Sequence, residues 1–283
     1  MKTLIVTADD FGASLAVNDA VERAHTDGIL TAASLMVAGD AAPDAVARAR
    51  RLPTLGVGLH LVLVEGRPAL PPAEVSELVD ATGHFRTDMV MSAVNMTFNP
   101  RARRQLAAEI TAQFAAFAAT GLPLDHVNAH KHFHLHPVIA ALVLEIGKRH
   151  GMSAARAPVE PRAIIAAIEP DRAPRRDPAA LWAKLLRRRF VRAGIAVPDQ
   201  VFGLAWSGAM DTGRMRGLIA ALPDGVSEIY THPATHDDWP GHASGYRYAD
   251  ELAALLDARA LVREQGITLA RFADLGCTEV GPS

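Results

Sequence analysis

Two rhythms of apolar residues alternate along this chain. Leu4–Ala8 is a short run rich in β-branched residues, the pattern of a buried strand. Leu15, Val17, Ala20, Val21 and Ala24 then recur at helical spacing until Gly28 stops them. The exchange repeats, with Ala33–Val37 reading as a strand, Ala42–Arg51 as a helix and Val57–Val64 as a third strand. Residues 65–100 break the rhythm with Pro68, Pro71, Pro72 and Gly83. They are expected as an insertion after the third strand, carrying one or two short helices. Arg101–Thr120 resumes as a helix, with Leu106, Ile110, Phe114 and Phe117 on one stripe. Leu124–Ala129 predicts a strand, Pro137–His150 a helix with proline at its start, and Met152–Ala157 a further strand.

The second half is less regular. Residues 160–195 are expected as a surface excursion, rich in proline and arginine at first and then helical over Leu181–Gly194. Val201–Ala205, Glu228–Thr231 and Thr268–Phe272 read as short strands, and Met215–Leu222 and Asp250–Gln265 as helices. Strands alternating with helices predict an α/β fold with a parallel sheet covered by helices. This number of strands favours a single-domain (β/α) barrel of the TIM type over residues 1–283, with eight strands or fewer. No Gly-x-Gly-x-x-Gly follows the first strand, which weighs against a dinucleotide site.

Composition narrows the partners. Of 283 residues, 49% are hydrophobic and 21% charged, the balance of an ordinary globular protein and not of a disordered or collagen-like one. The net charge of -2 supplies no general attraction to nucleic acid. No apolar run approaches the roughly 20 residues that span a bilayer, and the opening stretch is too short for a signal peptide. A lone cysteine, Cys277, can make neither an internal disulfide nor a zinc–cysteine site. A reducing cytoplasm is the expected compartment. Histidine stands out: there are 12, and five lie between His126 and His136.

In a β/α barrel the chemistry collects at the C-terminal ends of the strands. The first strand ends in Asp9-Asp10-Phe11-Gly12, the third carries His60, the fourth runs into the His126–His136 stretch, and a late strand ends at Thr231-His232-Pro233. One carboxylate and two neutral imidazoles converging from different strands would bind a divalent cation and leave positions open. A second carboxylate could accept a proton from water, and a histidine opposite could protonate a leaving group. Each piece has a plainer reading: paired aspartates cap helices, a lone His60 packs in a core, and the Arg187–Arg192 cluster is a solvated helix face. That cluster could also touch anionic lipid. Phe11, Trp206 and Trp239 are candidate sugar-stacking rings, with core packing the plainer reading of each.

The motifs Thr7-Ala8-Asp9-Asp10-Phe11-Gly12, Gly58-Leu59-His60-Leu61, His126-Val127-Asn128-Ala129-His130-Lys131-His132-Phe133-His134 and Thr231-His232-Pro233 resemble those of the YdjC-like carbohydrate deacetylases, relatives of chitooligosaccharide deacetylase. Asp27–Met36 and Gly121–His126 are similar to the hopanoid biosynthesis-associated branch, whose substrate is an N-acetylglucosamine attached to a hopanoid lipid. Asn128 and Lys131 depart from the chitooligosaccharide branch, which has aspartate and histidine there.

The resemblance implies a hydrolase that removes the N-acetyl group from an N-acetylglucosamine-type sugar, lipid-linked or oligomeric. It implies a divalent metal, magnesium or zinc, on Asp10, His60 and His130. Asp9 would be the general base and His232 the general acid. His132, His134 and Arg156 would sit beside the metal or against the substrate. Peripheral contact with the inner membrane and a homodimer are compatible with this reading. Two rivals stay open at this point: a metal-dependent phosphoesterase on the same barrel, and a sugar- or lipid-binding protein without turnover.

Overall fold

The computed structural model describes residues 1–172 and 178–277. The chain runs β1 (Lys2–Phe11), α1 (Leu15–Thr26), β2 (Ala32–Leu35), α2 (Ala42–Ala49), β3 (Gly56–Leu61), α3 (Met89–Phe98), α4 (Pro100–Ala119), β4 (Val127–Ala129) and α5 (Pro137–Arg149). It continues through α6 (Arg162–Ile168), α7 (Pro178–Arg192), β5 (Gln200–Phe202), α8 (Thr212–Ala220), β6 (Gly225–Thr231), α9 (Tyr248–Asp257), α10 (Arg259–Glu264) and β7 (Thr268–Leu269). The strands form one parallel sheet in the order β4-β3-β2-β1-β6-β5, with β7 added against β1.

The sheet curls as the barrel reading expects, but it closes differently. Met152–Ala157 is not a full strand. It makes single bridges, Val127↔Ala155 and Ala154↔Ala196, and Val201 donates to the Val159 carbonyl. These contacts tie the edge strands β4 and β5 together. Asp250–Gln265 is likewise two helices that meet at Ala258, not one. Of the expected excursion over 160–195, residues 173–177 lie outside the described residues, as does the side chain of Cys277.

Strand alternation divides the core into an outer and an inner layer. Leu4, Val6 and Ala8, with Leu35, Leu59, Leu61, Val127 and Ile229, pack outward against the helices in the main apolar cluster. The other face of each strand looks inward. Ile5, Ala32, Ala154 and Phe272 form a small separate cluster at the N-terminal end of the barrel. Farther along the same inward face come Thr7 and Asp9, Ser34, His60, Asn128, Arg156 and Glu228, all buried. The barrel interior is therefore apolar at its floor and polar toward the strand C-termini. Gly58 makes room for this polar column: a Cβ there would lie 2.5 Å from the His126 ring.

The helices follow from local signals. Ser14 caps α1 by accepting from Val17 N, and Asn99 caps α4 ahead of Pro100. Two polar residues on the buried side of α4 hold the chain leaving β3. Gln113 bonds Val62 N and O, and the Glu109 carboxylate accepts from Ala69 N and Leu70 N. Residues 65–100 carry a short 3-10 turn at Pro72–Val75, a Val79↔Phe85 bridge and α3. Their Val75, Leu78, Val79, Phe85 and Met96 join the main core.

Candidate metal centre and its carboxylate partner

Asp9 and Asp10 are sequence neighbours, so regular strand geometry would send them to opposite faces. The ladder between β1 and β2 slips between Ala8 and Phe11, and Asp10 takes φ +62°. The slip lets Asp9 stay on the inward row while Asp10 turns to meet β3 and the segment after β4.

There Asp10 Oδ1 lies 3.3 Å from His60 Nε2 and 3.2 Å from His130 Nδ1, and the two ring nitrogens are 3.4 Å apart. Four donors set tetrahedrally about 2.1 Å from a zinc-sized ion would stand roughly 3.4 Å from one another. The three atoms thus already have the separations that one small divalent cation requires, and they are the metal-type cluster found among the described residues. Softness favours zinc or another transition metal over magnesium for one carboxylate and two imidazoles. Burial alone would raise the Asp10 pKa, but the adjacent His130 and His60 hold it well below the carboxylate range. Burial works against protonation of His130, and Asp10 and Glu65 overcome it to push the imidazole up to about 9.

Asp9 sits in a different environment. Arg156 Nη1 donates to its Oδ2 at 2.6 Å and Nη2 to its Oδ1 at 3.0 Å. Asn128 Nδ2 and Ser34 Oγ also donate to Oδ1, at 2.9 and 3.2 Å. The crowded Oδ1 leaves Oδ2 as the atom with accepting capacity to spare. Burial opposes ionisation of Asp9, yet the Arg156 charge keeps its pKa far below normal. Arg156 also donates to Glu228 Oε1 at 2.6 and 2.9 Å and lies 4.5 Å above the Tyr230 ring.

Residues 3–262, nearly the whole of this chain, match the sequence profile of a family described as YdjC-like protein. The chain belongs to the YdjC-like family. It is 34% identical over 280 residues to a protein of Brevibacillus brevis, covering 96% of this chain and 99% of that one. It is 30% identical over 275 residues to one of Geobacillus stearothermophilus, covering 95% and 96%. Both relatives are named carbohydrate deacetylase. Among solved structures, one from Enterococcus faecalis V583, named for cellobiose-phosphate cleavage, superposes with a TM-score of 0.76 at 25% identity, covering 97% and 98% of the two chains.

In this YdjC-like chain the histidine run does not stay extended. Lys131 and His132 take φ +52° and +53°, which winds His130–Leu135 into 3-10 turns. His132 and His134 therefore leave the face of His130. His132 Nε2 meets Tyr230 Oη at 3.0 Å, and His134 Nε2 meets the Arg156 carbonyl at 3.0 Å. Burial lowers both imidazoles, His134 to about 4. His232 stands at the end of β6 with its ring edge-on to Tyr230 and Tyr246, and burial lowers its pKa against the pull of Asp10 and Asp9. Of the two readings of Phe11, Trp206 and Trp239, the structure has core packing: all three rings are buried in the main apolar cluster. Trp206 Nε1 is spent on Glu169.

The sequence reading passed over several groups. Glu65, at φ +49°, pairs with Lys131 and lies 3.9 Å from His130 Nε2. Glu251 accepts from the backbone N of His232 and of Met210. Glu228 was legible as the residue four before His232 on an alternating strand, hence on the same inward row. Glu65 and Glu251 had no such signal, because one lies in an irregular loop and the other on a helix. The four non-glycine residues with positive φ among the described residues are Asp10, Glu65, Lys131 and His132, all at this site. Backbone strain is concentrated where the donors converge.

Proposed function

We propose that this chain is a divalent-metal-dependent hydrolase that removes the N-acetyl group from an N-acetylglucosamine-type sugar. The observation that carries the reading is the donor spacing of Asp10, His60 and His130, with the Arg156-held Asp9 alongside. The names of the relatives point to the same chemistry.

Asp10, His60 and His130 would hold the cation. When bound, it would supply Lewis acidity toward the acetyl carbonyl and toward a water. Asp9, held ionised by Arg156, accepts the water proton at Oδ2. His232 delivers a proton to the departing sugar nitrogen, and acetate leaves. Because burial keeps His232 neutral at rest, it takes up that proton from solvent before the C–N bond breaks, and Asp9 returns the water proton to solvent afterwards. Arg156 and Glu228 fix Asp9 in place, and Glu251 holds the backbone of His232.

The substrate side of the proposal is a sugar carried on a lipid. α7 exposes Leu181, Trp182 and Leu185 in its first turns and Arg188, Arg189 and Arg192 in its last ones. α3 exposes Val90, Met91, Val94 and Phe98. Both helices flank the His130–Leu135 turns: α7 packs on them, and Thr97 of α3 bonds His136 Nε2 at 3.0 Å. Apolar surface with arginine beside it suits an anionic membrane and a substrate held there.

Acetate release tests the proposal on N-acetylglucosamine, chitobiose and an N-acetylglucosaminyl hopanoid, each with and without chelator. Chelator-sensitive acetate release from at least one is expected. Phosphate release from cellobiose phosphate is followed in parallel, given the name of the Enterococcus protein. Phosphate without acetate would replace this reading with a phosphoesterase. Neither product, in a protein purified without stoichiometric metal, would leave a binding protein.

A further inference from the structure

Asn128 stands opposite His60 in the β3–β4 register, and both side chains point inward. Its amide touches both halves of the site. Oδ1 lies 2.7 Å from His60 Nδ1, while Nδ2 donates to Asp9 Oδ1 at 2.9 Å and to Ser34 Oγ at 2.8 Å. The residue is buried, so no water exchanges for these partners.

The orientation of this amide is decided by its neighbours. Flipping it would aim Oδ1 at Asp9 Oδ1, acceptor against acceptor, beside a carboxylate already fixed by the Arg156 fork. With Nδ2 thus committed to Asp9 and Ser34, Oδ1 must face His60. An acceptor there requires His60 to carry its proton on Nδ1. The lone pair of His60 is then on Nε2, the atom that faces Asp10 and His130.

We propose that Asn128 is a positioning residue that selects the Nδ1–H tautomer of His60 and so readies Nε2 as a metal ligand. It does this because Asp9 orients it, which couples the carboxylate to the donor triad through one side chain. This rests on reading Asp10, His60 and His130 as the metal donors. A histidine ligand whose second nitrogen has a fixed partner binds metal more tightly, and loss of such a partner typically costs 10–100-fold in affinity. An aspartate at this position would still accept from Nδ1–H, but it would lose the two donors and face Asp9 as a like charge. Alanine would lose the acceptor as well.

The test uses the full chain with 15N-labelled histidine, free of metal, and assigns His60 by comparison with His60→Gln. The wild-type His60 should show a protonated Nδ1. In Asn128→Ala the signal should move toward a tautomer mixture, and zinc affinity, measured by competition with a chromophoric chelator, should fall 10–100-fold. Asn128→Asp should keep the tautomer and hold zinc within a few-fold of wild type. A wild-type His60 without a proton on Nδ1 overturns the proposal without reference to any variant. So does an Asn128→Ala protein that binds zinc as tightly as wild type. A wild-type protein that binds no zinc refutes the metal reading instead, and the tautomer measurement still decides the role of Asn128.

Discussion

Arg156 grips Asp9 with two guanidinium nitrogens from 147 positions along the chain, at 2.6 and 3.0 Å, and the same group holds Glu228. All three side chains are buried, so each charge depends on the others. Arg156→Met should be strongly destabilising, by roughly 3–5 kcal/mol, because it strands two carboxylates in the interior. Arg156→Lys keeps a charge but not the fork, and should lose most activity with a smaller loss of stability. Urea unfolding of both variants checks the order. Equal losses would mean that the bidentate geometry carries the stabilisation and a retained charge without the fork does not.

The two aspartates should separate on substitution. Asp10→Asn removes the anionic donor and should lose zinc binding and activity together. Asp9→Asn leaves the three donors in place, so it should retain zinc while turnover drops roughly 10²–10⁴-fold, the usual worth of a positioned proton acceptor. Metal content and rate measured on the same preparations decide it. Metal lost from Asp9→Asn and kept by Asp10→Asn would reverse the assignments.

How much of this was legible beforehand depends on the kind of signal. β1 and β6 could be read because β-branched runs ending in Asp9-Asp10 and His232 report both strand and strand end, and β3 because apolar residues alternate from Val57 through Leu63 around His60. The segment 152–157 could not be read as it folds: it follows a helix where the alternation expects a strand, but only Ala154 and Ala155 bridge to neighbours. The direction of His132 was not legible, because two-residue spacing from His130 implies a shared side only while φ stays extended, and Lys131 and His132 depart from that. Asp10 beside Asp9 owes its direction to the same kind of backbone exception. Arg156 could be named as near the site, but its pairing with Asp9 and Glu228 needed the ring of strands to be closed.

These turns direct His132 and His134 to Tyr230 and the Arg156 carbonyl, so the proposed function makes them supports and not donors. Ala at either position should lower activity and leave zinc bound. His134→Ala removes a bond to the Arg156 carbonyl and should shift thermal stability as well, by about 1 kcal/mol or more at a buried polar contact. His132→Ala removes the imidazole contact to the Tyr230 hydroxyl. Zinc loss on changing His132 but not His130 would move the ligand by two positions.

Glu251 gives a pH signature. Burial raises its carboxyl to about 7 against the backbone N–H groups of His232 and Met210 that favour the charged form. The folded state therefore holds a proton that the unfolded chain has already released above about pH 4.5. Its stabilising contribution is complete below that pH and is lost as pH rises through 7, on the order of 3 kcal/mol across the interval. Glu251→Gln cannot ionise. It should start less stable than wild type at pH 5, having lost one acceptor, and the gap should narrow or reverse by pH 8. Melting temperatures of both proteins across that range test this, and parallel curves would show that Glu251 does not titrate there.

The exposed residues of α3 and α7 make the substrate side testable in two independent ways. Phe98 and Trp182 are each about half exposed or more, and neither belongs to the core cluster. Substituting both by serine should leave folding and chitobiose turnover near wild type. If the sugar arrives on a lipid, the same pair of changes should lower catalytic efficiency on an N-acetylglucosaminyl hopanoid by roughly 10-fold. Covering even 100 Å² of apolar surface at about 25 cal/mol per Å² gives about 2.5 kcal/mol before ordering costs. Arg188, Arg189 and Arg192 supply the electrostatic half. Their triple change to glutamine should reduce sedimentation with phosphatidylglycerol vesicles and leave binding to phosphatidylcholine vesicles unchanged, and added salt should mimic the variant because exposed charges are screened within about 10 Å at 0.1 M. If chitobiose is turned over as well as the lipid-linked sugar and vesicle binding ignores the arginines, both helices are bystanders and the site acts on free sugar.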